Sequence, residues 1–303
     1  MKLHNSSLGL TFTSLKLQAA EIIAKRDQFY LRNLDEIYFN EEIDFIKDKE
    51  TKITALIQSA FEELSLKNSF VSDVVSFSVP RELFITAILP IEQSLLHTDL
   101  LEEFRWRLSV MYPFYNWYDF VIRYYEIKKK SILRDESAIV FSLHRKYLKI
   151  LHNLCSKNNL KLRFIDHCHL SSNNILIMHQ ADKKADQLSF YISQRILSVL
   201  ITAGGTPVYY EDIPLTIFHE IPELIKGKIE ELRNNQFNFT DAVLFGESSS
   251  NTLTKVLTES TNINFRLINP FSHLKAEENL LTNVYFTETN HFFSPSAGAV
   301  VRI

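Results

Sequence analysis

Two parts of this chain of 303 residues show the same order of elements. Residues 7–39 read as three strands separated by polar corners, and a stretch with helical spacing follows at 49–67. A second three-stranded meander occupies 188–215 and is again followed by alternating helices and strands. This pattern is typical of an α/β protein with an internal duplication. The polar segment DKKADQ separates the two parts, so the sequence predicts two lobes at 1–184 and 185–303.

A further segment interrupts the first lobe. Two strand-like runs lie on either side of Pro80, and a helix follows Thr98 or Asp99, either of which is a suitable N-cap before an acidic first turn. Since these elements separate parts of the lobe that otherwise belong together, we predict that about 71–108 forms a small inserted subdomain of a few strands and one helix.

Glycine is scarce, and this limits how the chain can hold phosphate. There are six glycines, whereas an average usage of about 7% predicts roughly 21. Phosphate-binding loops use glycine because their backbone N–H groups must approach the anion closely, often at positive φ. No pair of these glycines has the spacing of a Walker or dinucleotide-binding motif, so neither motif is present.

Composition excludes several classes of partner. The net charge of −3 and the pI of about 6.4 do not fit a nucleic-acid-binding surface. The N-terminus lacks the apolar core of a signal peptide, and no uncharged apolar run reaches the roughly 18 residues of a membrane span. Cys155 and Cys168 do not make a disulfide framework. We therefore expect a cytoplasmic protein with no membrane span and no nucleic-acid partner.

Four stretches resemble the actin-like ATPase superfamily, and within it the PilM branch of type IV pilus assembly proteins, with FtsA more distant. LGLTFTSLKL and FYISQRILSVLITAGGTPVYYEDIPL resemble its two phosphate hairpins, VLFGESSSNTLTKVL its adenosine loop, and FRLINPFSHL the strand that follows. An uncharacterised Bacteroidetes family with a degenerate fold of this kind is also similar. The resemblance implies a duplicated actin-like (ribonuclease H-like) two-lobed fold, with the inserted subdomain where PilM and FtsA carry theirs.

The two phosphate hairpins depart from the family pattern. After Gly9 the first has Thr11 and Thr13 where the family has an acid and then a glycine-containing corner, and its corner is about two residues shorter. The second has Tyr191 and Ser193 in place of an Asp and a Gly. In the family these acids organise a metal ion and water near the phosphates, so their loss removes the carboxylate anchors of Mg²⁺.

The adenosine loop has changed in the same direction. The family has consecutive glycines there, whereas this chain has Gly246 followed by Glu247. Because three sites have changed together, we predict a pseudo-ATPase that is not an enzyme and binds neither metal nor cofactor. Its former nucleotide cleft is expected at relic positions that carry no catalytic role: Thr11, Thr13, Ser14, Tyr191, Ser193 and Gly246.

We expect the protein to act as a binding or scaffold protein. By the resemblance to PilM, its partner is a protein, with a peptide lying against the inserted subdomain near 74–91. The alternative is an active nucleotide-binding ATPase with divergent phosphate loops, in which hydroxyl groups replace the carboxylates. ATP and Mg²⁺ are cofactors only under this alternative. We predict a narrow or plugged cleft, partly filled by the Tyr191 ring, with no room for a triphosphate at Thr13–Ser14.

Three other patterns have less specific chemistry. His167 and His169 would share one face of a strand, near Cys168 and His179, and offer two zinc ligands rather than four. The serines at 248–250 match only half of G-x-S-x-G, so a helix cap is the simpler interpretation. The aromatic run at 111–125 is expected to supply mainly core and strand pairing, with some side chains left for a partner surface.

Overall fold

In the computed structural model, which describes residues 6–25, 28–92, 94–127, 136–179 and 186–301, the chain forms two large mixed sheets and one small sheet. The strands are β1 (Ser6–Phe12), β2 (Lys16–Lys25), β3 (Gln28–Tyr38), β4 (Val74–Val79), β5 (Phe84–Pro90), β6 (Phe120–Ile127), β7 (Ser137–His144), β8 (Lys161–His167), β9 (Gln187–Ile192), β10 (Ile196–Ala203), β11 (Thr206–Pro214), β12 (Asp241–Phe245), β13 (Asn264–Arg266) and β14 (Lys275–Ala276). The helices are α1 (Glu50–Lys67), α2 (His97–Met111), α3 (Arg145–Lys157), α4 (Cys168–His179), α5 (Ile221–Asn234), α6 (Asn251–Thr261), α7 (Val284–Thr287) and α8 (Ser294–Val300).

The first sheet has the order β14-β3-β2-β1-β4-β8. Its β1, β2 and β3 form an antiparallel meander, and β4 and β8 are added in parallel. Helix α1 covers one face because its apolar residues recur at helical spacing, as the sequence predicted for 49–67. Helices α4 and α8 pack together against the same lobe.

The second sheet has the order β11-β10-β9-β12-β13. It also starts with an antiparallel meander, β9 to β11, and continues with two parallel strands, β12 and β13. Helices α5 and α6 complete its core. The sequence-based expectation of two lobes, each led by a meander and carrying its own sheet, is therefore confirmed, with the second meander starting at Gln187.

The small sheet has the order β5-β7-β6, is antiparallel throughout, and packs on α2. This corrects the bounds of the insertion, which we predicted at about 71–108. Val74–Val79 lies inside the first sheet between β1 and β8, and the three-stranded sheet with its helix extends from Phe84 to His144. The turn at Pro80 and Arg81–Leu83 carries the chain from one sheet to the other, so strands that are neighbours in sequence are not paired.

The C-terminal part of the second predicted lobe, 185–303, returns to the first sheet. Strand β14 pairs with β3, and α8 packs against β1 and α4. The packing is close enough that a Cβ on Gly9 would lie 1.9 Å from the carbonyl oxygen of Ser296, and one on Gly298 would lie 1.7 Å from that of Ser171. The predicted boundary at 184/185 falls outside the described residues. Of the helices that the structure describes, none is long and apolar enough to cross a membrane.

Candidate functional site

A cleft of about 240 Å³ lies where the corners of two hairpins meet. The β1–β2 corner and the β9–β10 corner line it, together with the loop at 43–46, the turn after β4 and Glu247. Its volume is below the roughly 300 Å³ at which ligand pockets usually begin. Four of the six relic positions line the cleft: Thr13, Ser14, Tyr191 and Ser193. Thr11 is buried within β1, and Gly246 is buried immediately before Glu247.

The backbone N–H groups of the β1–β2 corner donate to acceptors within the corner itself. The N–H groups of Leu15 and Lys16 donate to Thr13 Oγ1 at 3.1 and 3.3 Å, and the Thr13 N–H donates to the Lys16 carbonyl at 2.9 Å. None of residues 13–15 has a positive φ, in keeping with the β-branched side chain of Thr13. The hydroxyl of Thr13 thus occupies the hydrogen bonds that a phosphate oxygen would need from this corner.

The β9–β10 corner repeats this arrangement. Ser193 Oγ accepts from the N–H groups of Arg195 and Ile196 at 3.4 and 3.1 Å, and the Ser193 N–H donates to the Ile196 carbonyl at 2.9 Å. The same hydroxyl lies 2.6 Å from Glu82 Oε1 and donates to it. The two corners therefore satisfy their amides in the same way, with a threonine in one and a serine in the other.

Three side-chain contacts connect the first hairpin or the turn after β4 to the second sheet. Ser14 Oγ donates to Gln194 Oε1 at 3.2 Å, directly from corner to corner. The Ser193 hydroxyl donates a hydrogen bond to the Glu82 carboxylate, and Arg81 forms an ion pair with Asp212 on β11. Gln194, Glu82 and the ion pair could not be identified from local sequence patterns, because each contact depends on which distant segments meet.

Glu247 adds a carboxyl group to the lining of the cleft. Its pKa is raised from 4.5 to about 7, mainly by burial; the positive charge of Lys16 lowers the pKa and the charge of Glu82 raises it within this net shift. Lys16 is itself paired with Glu36 at 2.7 Å. A substantial fraction of Glu247 is therefore protonated at neutral pH, and any charged fraction would repel a phosphate.

Tyr191 and Cys168 form the buried wall of the cleft. Burial raises the pKa of the Tyr191 phenol well above its usual value, and burial raises the pKa of the Cys168 thiol as well. Both groups stay protonated near neutral pH, so neither is an activated nucleophile. Tyr191 lines the cleft, and whether its ring fills the space of a nucleotide stays a prediction.

The two histidines do not share one strand face, which corrects the sequence-based interpretation. Strand β8 ends at His167, and α4 begins at Cys168, so the two histidines lie on different elements. His167 Nε2 lies 3.1 Å from the Tyr210 hydroxyl, and His169 lies between the hydroxyls of Ser198 and Ser189, at 2.8 and 3.0 Å.

Burial lowers the pKa of His169 to about 3 and that of His167 well below its ordinary value. The described side chains contain no group of three or more His, Cys, Asp or Glu residues placed to hold a metal ion. The side chain of His179, the other candidate ligand, lies outside the described residues. The two rings therefore act as neutral hydrogen-bonding groups between the sheets.

The serines after Gly246 stabilise the start of α6 and the turn that precedes it. Ser250 is the N-cap of α6 and accepts from the Leu253 N–H at 3.1 Å, which confirms the expected cap. Ser249 Oγ donates to the Gly246 carbonyl at 2.7 Å. Gly246 has φ of +94°, and a Cβ there would lie 2.3 Å from the Ile192 carbonyl oxygen, so this glycine is needed for the turn.

No protein-family model matches the chain, and no curated protein matches it. Among solved structures, the chain is similar to the PilM-PilN type IV pilus biogenesis complex, with a TM-score of 0.74 and 14% identity over 98% of each chain. It is also similar to a Bacteroides thetaiotaomicron protein with actin-like ATPase fold and unknown function, with a TM-score of 0.51 and 14% identity over 86% of this chain and 90% of that one. At these identities the likeness concerns the fold. The chain has the two-lobed actin-like fold and resembles PilM, as the sequence predicted.

Proposed function

We propose that the protein is an actin-like pseudo-ATPase that acts in the cytoplasm as a binding or scaffold protein, without metal or nucleotide cofactor. One observation carries the proposal. In both hairpin corners the amide groups that would cradle a phosphate donate to the corner's own hydroxyl, Thr13 Oγ1 or Ser193 Oγ. To bind there, a phosphate would have to displace two such sets of hydrogen bonds and separate Ser14 from Gln194.

The charges in the cleft support the same proposal. Glu82 and Glu247 line it, and the nearby Lys16 is engaged with Glu36. Magnesium requires oxygen ligands in octahedral geometry, and the family positions that supply carboxylates hold Thr11 and Tyr191 here. The acids that remain lie at other positions, where their charge opposes the phosphate without replacing the lost ligands.

A thermal-shift measurement with ATP and Mg²⁺ tests this proposal. If ATP bound with a Kd of about 10 μM, 1 mM ligand would stabilise the fold by roughly 2.7 kcal/mol, which would raise the melting temperature by several degrees. We expect no change beyond one degree and no phosphate release.

A stabilisation of several degrees that disappears in Ser14→Tyr would contradict the proposal and favour the active ATPase. Ser94→Tyr is the matched control, since Ser94 is an exposed serine outside the cleft.

For the partner, we propose a peptide at the free edge of β5. The solved PilM structure is a complex with PilN. The resemblance indicates 74–91 as the segment that contacts a peptide. Val74–Val79 is enclosed between β1 and β8 and cannot accept an added strand, so β5 is the part of this segment that can. Within the described residues β5 pairs with β7 on one side only, and an edge strand can accept an added strand.

A photo-crosslinking residue in place of Ile88, an exposed position on β5, tests this proposal in cells. We expect a specific crosslinked protein with the residue at Ile88 and none with it at Leu66, which is exposed on α1. Equal crosslinking at both positions would contradict a peptide site on β5.

A further inference from the structure

The outer side of the inserted subdomain concentrates exposed apolar side chains. Sixteen large hydrophobic side chains are exposed in the described part of the chain, and seven of them lie within 96–118. Four of these seven are aromatic, out of five exposed aromatic residues in the described part of the chain. The seven are Leu96, Trp106, Val110, Met111, Phe114, Tyr115 and Tyr118. Scattered surface apolar residues need no explanation, but a concentration of this kind usually marks an interaction site.

Helix α2 separates its apolar side chains into a buried side and an exposed side. Leu100, Phe104 and Leu108 point inward to the core of the small sheet, whereas Trp106 and Val110, one turn apart, point outward. The helix ends at Met111, and Phe114, which is 96% exposed, lies three residues after it in the connection to β6.

Tyr118 folds back onto the same helix and extends its exposed side. Its hydroxyl lies 3.5 Å from Glu102 Oε2, and the guanidinium of Arg105 lies 5.7 Å from the centre of its ring. We call Trp106, Val110, Phe114, Tyr115 and Tyr118 the aromatic face.

The area of this face fits one side of a standard protein interface. Trp106, Phe114, Tyr115 and Tyr118 are exposed to 61%, 96%, 50% and 68%. Since an aromatic side chain can bury about 150–250 Å², these four together offer roughly 550 Å². The aliphatic neighbours Val110 and Met111 raise this toward the roughly 800 Å² per partner of a stable complex.

Several charged side chains around the aromatic face have partners within the chain, and both signs are present there, with Arg105, Arg107 and Arg145 near Asp99, Glu102, Glu103 and Asp119 in sequence or contact. Arg107 Nε donates to Glu103 Oε1 at 2.7 Å, and Arg105 pairs with Glu102 on the same helix. Arg145 Nε donates to the Tyr118 carbonyl oxygen at 3.0 Å. The surface around the aromatic face therefore has no strong excess of positive or negative charge. Two identical faces can meet without like-charge repulsion. An anionic lipid surface or a nucleic acid would find no net positive charge to bind.

We propose that the aromatic face is the docking site for a second copy of this chain, in a two-fold symmetric dimer with α2 at its centre. In such an interface the same patch serves both subunits, so an apolar centre with a self-neutralised rim is suited to it. The proposal does not depend on whether the cleft binds a nucleotide.

Sedimentation velocity of the full chain tests the dimer, over a range of about 1 to 100 μM that covers micromolar affinity. We expect a monomer–dimer equilibrium for the wild type. The double variant Trp106→Gln, Phe114→Ser should raise the dimer Kd at least tenfold, because both side chains are exposed and aromatic residues dominate interface affinity.

Leu66→Gln is the matched control, because Leu66 is 88% exposed on α1, away from the aromatic face. It should leave the dimer intact, and neither variant should change the melting temperature of the monomer. A wild type that stays monomeric throughout the range, or a dimer that survives the double variant, overturns the proposal.

A covalent test gives an independent readout. Cys155 and Cys168 are free and buried, so a cysteine introduced by Phe114→Cys is the reactive one among the described residues. Under oxidation we expect a disulfide-linked dimer from this variant and not from Leu66→Cys. Equal crosslinking of both variants would indicate random collisions, and co-sedimentation of the wild-type monomer with anionic vesicles would assign the face to a membrane surface; either result overturns the proposal.

Discussion

The hydroxyl of Ser14 donates to the carboxamide oxygen of Gln194 at 3.2 Å, across a sequence separation of 180 residues. The two residues occupy corresponding places in their hairpins, each directly after the residue whose hydroxyl caps the corner. The corners of the two hairpins are thus in direct contact.

We expect this contact to couple the two hairpins energetically. In a double-mutant cycle of Ser14→Ala and Gln194→Ala, the coupling in the free energy of unfolding should be about 0.5–1 kcal/mol, the range for a partly buried neutral hydrogen bond. Denaturant unfolding of the four proteins measures it. Ser94→Ala, which removes an exposed hydroxyl bonded to Glu92, should show no coupling with Gln194→Ala. Strict additivity for the Ser14 pair would mean that the corners do not interact in solution.

Local chemistry in the sequence was enough to locate both hairpins. The polar corners after Phe12 and Ile192 and the helical spacing of α1 depend on residues close in the chain, and the structure has these elements where they were expected. The place of β4 within the first sheet could not be found in this way, although its run was recognised as strand-like. Its run VVSFSV suits any buried strand. Its pairing with β1 and β8 depends on segments about 67 and 87 residues away, a distance at which local patterns carry no information.

The same limit applies to the candidate site. The sequence predicts that Thr11 and Tyr191 stand where the resembled family has carboxylates, but it does not indicate that the hydroxyl groups of Thr13 and Ser193 accept hydrogen bonds from the corner amides. Gly9 is an instructive case. Its place in the hairpin motif was recognised, whereas its need to lack a side chain comes from Ser296 of α8, whose carbonyl oxygen a Cβ there would meet at 1.9 Å.

We predict that Gly9→Ala destabilises the fold by about 1–3 kcal/mol or more, because the new Cβ would lie 1.9 Å from a backbone oxygen that cannot move aside alone. Gly227 in α5 provides the control, since nothing lies within 4 Å of a Cβ there. Gly227→Ala should stabilise the protein by about 0.5–1 kcal/mol through helix propensity. Thermal unfolding separates the two outcomes, and an equal effect of both substitutions would contradict the close packing of β1 and α8.

We predict that Glu247 makes stability fall as the pH rises. Its pKa is raised from 4.5 to about 7 in the folded protein, so the native state holds a proton that the unfolded chain releases between these values. The stability from the protonated carboxyl is complete below pH 4.5 and is lost as the pH rises through 7. The total change should be about 1–3 kcal/mol, given about 1.4 kcal/mol per pKa unit and partial solvent screening.

The variant Glu247→Gln tests this dependence, because an amide does not titrate. The unfolding free energy of Glu247→Gln minus that of the wild type should increase between pH 4.5 and pH 7.5. The same substitution at Glu259, an exposed carboxylate on α6, is the control and should give a flat difference. A flat difference for Glu247→Gln would show that the carboxyl is not buried in solution.

We predict the opposite pH dependence for His169. Its ring is buried between Ser189 and Ser198, and its pKa is lowered from 6.5 to about 3. The unfolded chain therefore binds a proton below pH 6.5 that the native ring does not, so stability is complete above pH 6.5 and is lost as the pH falls toward 3.

His169→Gln should cost about 1–3 kcal/mol at pH 8, since the serine hydroxyls lose well-placed partners. This cost should shrink by about 1.4 kcal/mol for each pH unit below 6.5, because only the wild type carries the histidine penalty. His167 is present in both proteins and cancels in the comparison. His152→Gln, at an exposed position on α3, is the matched control and should show no such cost at pH 8. A cost at His169 that stays constant from pH 8 to pH 4.5 would mean that the ring takes up protons in the folded state, and that it does not lie neutral between the two serines.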